Sequence, residues 1–65
     1  MKTRIVELRK EKRITQEELA QLCGVTRQTI ISLESGRYNP SIFLAHKIAQ
    51  IFGLSIEQVF IFEEE

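Results

Sequence analysis

Residues 16–35 read QEELAQLCGVTRQTIISLES, and the rest of the 65-residue chain is organised around this stretch. Each half of it carries two apolar residues three positions apart: Leu19 and Leu22, then Ile30 and Leu33. That spacing is typical of one face of a helix. Gly24 lies between the halves and can adopt the left-handed conformation that ends a helix. The stretch therefore predicts two short helices joined by a tight turn.

Three further residues support this arrangement. Val25 is an apolar residue inside the turn, so we expect it to fill the gap between the two helices. Thr26 can cap the second helix. Ala20 gives the first helix a small side chain where two steeply crossing helices must touch. Together these features predict a helix-turn-helix, whose second helix enters the major groove of DNA.

Two segments resemble the helix-turn-helix domain of the phage repressor and Cro type, also called the xenobiotic-response-element family. They read LRKEKRITQEELAQLCGVTRQTIISLESGRYNPS and LAHKIAQIFGLSIEQVF, and together they cover nearly the whole chain. The residues that carry the resemblance are Gln16, Ala20, Gly24, Val25, Ile30, Leu33, Glu34, Gly36 and Pro40. The resemblance implies an all-α, lambda-repressor-like bundle of five helices in one domain, residues 1–65, and a sequence-specific DNA-binding regulator of transcription.

The charge distribution agrees with a DNA-binding half, although the net charge is zero. Residues 1–40 hold eight Lys and Arg against five Glu, and residues 41–65 hold one Lys against four Glu. A polyanion responds to the local field and not to the total charge. We therefore expect double-stranded DNA to meet the half that contains the helix-turn-helix.

Composition also argues against several other classes of protein. One cysteine and one histidine, Cys23 and His46, are too few for a zinc site, and we expect no metal, no cofactor and no catalytic residues. No small-molecule ligand is predicted. The chain has neither an apolar run of membrane-spanning length nor a signal peptide, so we expect a cytoplasmic protein. Cys23 is expected to pack as a small apolar residue, and His46 to be partly buried or at an interface.

Local signals predict five helices, over residues 4–12, 16–23, 27–35, 42–52 and 56–60. Thr15 and Glu18 form a capping box before the second helix, and Ser55 with Gln58 can do the same before the fifth. Residues 61–65 either extend the fifth helix or form a short strand beside the arm at residues 1–3. The resemblance implies an ion pair between Arg9 and Glu34.

The first turn of the third helix carries the candidate base-reading residues: Arg27, Gln28 and Thr29, with Ser32 one turn further on. Glutamine can bind adenine, arginine can bind guanine, and a threonine methyl group can touch that of thymine. The predicted phosphate ligands are Gln16, Thr26, Arg37, Tyr38 and Asn39. Gln16 begins the second helix, where a phosphate is favoured. A tyrosine close to a proline can instead pack only its own loop.

The C-terminal part, residues 42–65, is the predicted dimerisation region. We expect one face of the fourth helix to enter the core with Ile42, Ala45, Ile48, Ala49 and Phe52. The other apolar residues of this region form more apolar surface than one short helix needs against a small core. The predicted homodimer interface consists of Phe43, Phe60, Ile61 and Phe62. The alternative is that these residues fill a loosely packed monomer core.

The function expected from this sequence is repression by occupancy of a near-palindromic site, because the chain has no room for an effector domain. The alternative is an antitoxin that neutralises a toxin and also binds its own promoter. A toxin-like reading frame beside the gene would favour that alternative.

Overall fold

Five helices and a two-stranded ribbon form the part of the chain that the computed structural model describes, residues 2–62. In chain order the elements are β1 (Lys2–Thr3), α1 (Ile5–Glu11), α2 (Gln16–Cys23), α3 (Arg27–Glu34), α4 (Ile42–Phe52), α5 (Ile56–Val59) and β2 (Phe60–Ile61). The bounds of α2 and α4 are those that the sequence predicts, whereas the other three helices are slightly shorter. The helical fold class with a terminal ribbon is confirmed.

Hydrogen bonds between close neighbours in sequence fix where the helices begin. The backbone N–H of Glu18 donates to Thr15 Oγ1 at 3.0 Å, and the N–H of Thr15 donates to Glu18 Oε1 at 2.9 Å. The predicted capping box is therefore present. The hydroxyls of Thr26 and Ser41 accept N–H groups from the first turns of α3 and α4. Because each cap lies three residues from its partner, local sequence is sufficient to start these helices.

The core is apolar and takes residues from all five helices and from β2. Its buried members are Ile5, Leu8, Leu19, Ala20, Ile30, Leu33, Ala45, Ile48, Ala49, Phe52, Val59 and Phe60. Val25 packs against this cluster, as predicted for an apolar residue in the turn. Leu22 does not follow Leu19 into the core, since it is 52% exposed.

The antiparallel ribbon of β1 and β2 joins the two ends of the chain, with Thr3 paired with Phe60. Of the two alternatives for the C-terminal segment, the strand is therefore confirmed at Ile61. Met1 and residues 63–65, which belong to the predicted arm and to the predicted C-terminal segment, lie outside the described residues.

Three side chains lie elsewhere than the sequence suggests. Ile42, expected in the core, is 66% exposed, because the buried face of α4 begins only one turn later, at Ala45. Phe60, expected at the dimer interface, is 1% exposed in the single chain. Its position in β2 makes it a core residue, so the interface assignment is wrong for this side chain. His46 is exposed and not partly buried.

Candidate nucleic-acid interface

The first turn of α3 presents polar side chains on the surface. Arg27 and Gln28 are exposed, and Thr29 and Ser32 are half-buried. Between residues 2 and 62, no partner hydrogen-bonds to the Gln28 amide. This amide can therefore offer a donor and an acceptor together, which is what the edge of an adenine requires.

Glu34, the last residue of α3, connects α3 to α1 and α2. Its Oε2 atom accepts a hydrogen bond from Arg9 Nε at 2.9 Å, and its Oε1 atom accepts one from Gln16 Nε2 at 2.7 Å. The side chains of Arg9 and Glu34 are 15% and 8% exposed. The ion pair implied by the family resemblance is present, and it is largely shielded from water.

Gln16 also receives a hydrogen bond from the start of α3. Arg27 Nη2 donates to Gln16 Oε1 at 3.2 Å, so Gln16 bridges the last and the first residue of α3. An amide has two N–H donors, and one of them remains available for a phosphate. Sequence reasoning missed both bonds, because the partners lie 11 and 18 positions apart.

The two threonines at the start of α3 bind each other. Thr26 Oγ1 accepts the backbone N–H of Thr29 at 3.2 Å, and the two hydroxyl oxygens lie 3.1 Å apart. A hydroxyl has one donor and two acceptor positions, so capping leaves part of this capacity unused. The predicted phosphate role of Thr26 is therefore compatible with its cap.

The remaining predicted phosphate ligands lie in the loop after α3. Arg37, Tyr38 and Asn39 are all exposed, and Tyr38 is exposed by 43%. The backbone N–H of Arg37 donates to the carbonyl of Ser32 at 3.2 Å, which holds the beginning of the loop against α3. Because of its exposure, Tyr38 is not a buried packing residue of this loop.

A cleft of about 720 Å³ opens beside the amino ends of α2 and α3. Its lining includes Arg9, Lys10, Arg13, Gln16, Glu17 and Arg27. Lys10 and Arg13 were not among the predicted site residues. The sequence does contain a signal for them, since residues 9–13 read RKEKR and immediately precede the helix-turn-helix.

Three further features of residues 2–62 concern the Cys23 thiol, the grouping of metal-ligating side chains and the length of the helices. Burial raises the pKa of the Cys23 thiol, and the nearby Lys47 ammonium opposes that shift. Over residues 2–62, no three His, Cys, Asp or Glu side chains are grouped so that they could hold a metal ion. Over the same residues, no helix has the length and apolar character needed to cross a membrane.

Comparisons with other sequences identify relatives. A family model described as helix-turn-helix matches residues 5–59. The chain is 59% identical over 66 residues to an HTH-type transcriptional regulator of Methanothermobacter thermautotrophicus, with 100% of this chain and 96% of that protein covered. It is 33% identical over 56 residues to the immunity repressor protein of Bacillus phage phi105, with 86% of this chain and 39% of that protein covered.

A comparison with solved structures agrees with the sequence matches. The restriction-modification controller protein C.AhdI from Aeromonas hydrophila matches with a TM-score of 0.78 and 33% identity. The match covers 88% of this chain and 86% of the controller protein. The arrangement of the helices is therefore shared over nearly the whole length of both chains.

Proposed function

Because the chain belongs to the helix-turn-helix family whose model matches residues 5–59, we propose that it represses transcription by occupying a specific DNA sequence as a homodimer. Its relatives include a transcriptional regulator and a phage immunity repressor. The observation that carries the proposal is the exposed first turn of α3, where Gln28 has no hydrogen-bond partner within residues 2–62.

Base reading is assigned to α3. In this proposal Gln28 binds adenine through both groups of its amide, and Arg27 binds guanine from the adjacent position. Thr29 supplies a methyl group for contact with thymine, and Ser32 faces the same groove one turn later. The exposure of Arg27 and Gln28 supports this assignment, since a recognition helix reads bases through its amino-terminal residues.

Phosphate contacts supply most of the affinity and hold α3 in register. We assign them to Gln16 and Thr26 on one side of α3, and to Arg37, Tyr38 and Asn39 on the other. The excess of Lys and Arg in residues 1–40 supports these contacts. We infer action in the cytoplasm, because a regulator of this kind must reach its DNA, which in a prokaryote such as Methanothermobacter thermautotrophicus lies there.

The partner in the homodimer is a second copy of this chain, bound through residues of the C-terminal third. Phe43 is 83% exposed and Phe62 is 63% exposed, and Ile61 beside Phe62 is half-buried. Aromatic residues are enriched at protein–protein interfaces, so these exposed side chains support a protein partner. A two-fold dimer places its recognition helices in successive major grooves, so half-sites should lie ~34–36 Å apart on a near-palindrome.

The decisive experiment selects bound sequences from a random pool of double-stranded DNA. We expect a near-palindromic motif for the unmodified protein. The Gln28→Ala variant should lose about 1–3 kcal/mol of discrimination at one base pair in each half-site, because its bidentate contact is gone. Gln50→Ala is the matched control, since Gln50 is an exposed glutamine on α4.

Three results would each contradict a part of the proposal. Failure to enrich any sequence would reject specific DNA binding. A selected motif without two-fold symmetry, bound by one copy of the protein, would reject the homodimer while leaving DNA binding intact. An unchanged profile for Gln28→Ala would reassign base reading to other residues of α3.

A further inference from the structure

The cleft between α1 and the amino ends of α2 and α3 is strongly cationic. Arg9, Lys10, Arg13 and Arg27 line it, against one carboxylate, that of Glu17. Arg9 is neutralised by its ion pair with Glu34 and also donates to the carbonyl of Ile14, so it is part of the framework. The charge available to a ligand therefore comes chiefly from Lys10, Arg13 and Arg27.

The side chains of Lys10 and Arg13 have no partner among residues 2–62. Both side chains are exposed, and neither forms an ion pair or a hydrogen bond with any other residue from 2 to 62. Arg27, by contrast, donates to Gln16 at 3.2 Å. Two unpaired cations at the rim of one cleft raise the local positive potential and attract an anion.

The backbone of Arg13 is in a conformation that arginine rarely adopts. Its φ is +57°, in the left-handed region, and it is the only non-glycine residue with a positive φ between residues 2 and 62. A side chain with a Cβ is strained there, and glycine is not. Arg13 therefore places a positive charge at a strained backbone position that glycine would occupy without strain.

We propose that this cleft binds a phosphate group of the DNA backbone beside the half-site that α3 reads, with Lys10 and Arg13 as its ligands. The proposal rests on the proposed DNA-binding function and extends the contact surface beyond the helix-turn-helix. The cleft adjoins the start of α3 through Arg27, so a strand that meets the first turn of α3 can continue along it. An oxyanion suits ammonium and guanidinium donors.

The first test compares the salt dependence of DNA affinity in two doubly substituted proteins. In the variant that combines Lys10→Gln with Arg13→Gln, the negative slope of log K against log salt should become less steep by about 0.9 if one phosphate contact is lost. Lys12→Gln with Lys47→Gln removes the same charge from exposed residues that do not line the cleft, and should change the slope less. Equal slopes for the two variants would overturn the proposal.

A second test uses the strain at Arg13. Arg13→Gly should leave the melting temperature equal or higher, because the left-handed backbone suits glycine, while it weakens DNA binding. Arg13→Lys should retain most of the binding, since it keeps the positive charge. A purely structural Arg13 would instead give parallel changes in melting temperature and affinity, and that result would overturn the proposal.

A third test locates the phosphate. Each flanking phosphate of the selected DNA is replaced in turn by an uncharged methylphosphonate. One position should weaken binding of the unmodified protein and have little effect on Lys10→Gln/Arg13→Gln. If no position behaves in this way, this inference alone is overturned. The same holds if the cleft binds inorganic phosphate but does not contact DNA. Absence of any DNA binding by the unmodified protein overturns the proposed function as well.

Discussion

Glu34 is a single carboxylate that holds α3 against both α1 and α2. It accepts hydrogen bonds from Arg9 and Gln16, and its side chain is only 8% exposed. In such a shielded pair, loss of one charge leaves the other partly buried without its counter-ion. This cost exceeds that of losing an exposed pair, where water replaces the partner.

The Glu34→Gln variant should therefore lose about 3 kcal/mol of unfolding free energy, because Arg9 stays partly buried without its counter-ion. Urea denaturation measures the loss. Glu7→Gln is the matched control, since the Arg4–Glu7 pair has a similar length of 3.0 Å but side chains that are 40% and 61% exposed. We expect it to lose less than about 1 kcal/mol. Equal, small losses in both variants would mean that the Glu34 pair is not shielded in solution.

Cys23 should react slowly with iodoacetamide in the native protein. Burial raises the pKa of its thiol, so less of the reactive thiolate is present near pH 8 than in an unfolded chain. The same shift makes the folded state lose stability as the pH rises through the ordinary thiol pKa towards the raised one. Alkylation rates with and without urea, followed by mass spectrometry, test this. Equal rates would contradict a half-buried thiol with a raised pKa.

At the scale of secondary structure, local signals set most helix ends, and tertiary pairing sets one of them. The capping hydrogen bonds at Thr15, Thr26 and Ser41 connect residues three positions apart. The end of α5 is different, because Phe60 has an extended backbone, with φ −108° and ψ 120°, and pairs with Thr3. This partner lies at the opposite end of the chain, so helical periodicity alone placed Phe60 inside the helix.

Gly24 ends α2 with a φ of +71°, and a Cβ built there meets nothing within 4 Å. The Gly24→Ala variant should therefore lose stability only through backbone strain, by about 1 kcal/mol. Gly53 ends α4 with a φ of +67° and equally open surroundings, so Gly53→Ala should lose a similar amount. Thermal unfolding of both variants checks this. A neutral result would show that the turns relax to other conformations at no cost.

At the scale of the whole molecule, the terminal ribbon fastens the C-terminal third to the helix-turn-helix. β2 pairs with β1, and β1 also lies against α3. Any partner bound by the C-terminal third is consequently held in a defined orientation to α3. This is the requirement for two recognition helices to match the spacing of two half-sites.

Phe43→Ser combined with Phe62→Ser should convert the proposed homodimer into a folded monomer that binds its DNA more weakly. Both side chains are exposed in the single chain, so the core is not disturbed. Sedimentation at micromolar concentration measures the mass, and circular dichroism checks the fold. Leu22→Ser is the control, since Leu22 is a 52% exposed apolar residue on α2. The same mass for all three proteins would exclude this interface.

The amino-acid sequence alone is enough to predict the helices, the turn at Gly24 and the family resemblance. Helix periodicity, caps and left-handed glycines act over three or four residues, so their information is local. The family resemblance predicted the Arg9–Glu34 ion pair, and in the structure Arg9 Nε lies 2.9 Å from Glu34 Oε2. The exposure of Arg27 and Gln28 also follows from their position at the start of α3.

Tertiary packing sets which surfaces those helices leave open. It buried Phe60 and exposed Ile42, because burial depends on what packs against a face and not on the face's own pattern. It joined Gln16 to Glu34 and Arg27 across 18 and 11 positions. It also placed Lys10 and Arg13 at one cleft with the start of α3. Contacts between residues far apart in sequence depend on the packing of whole helices, and no short motif encodes that packing.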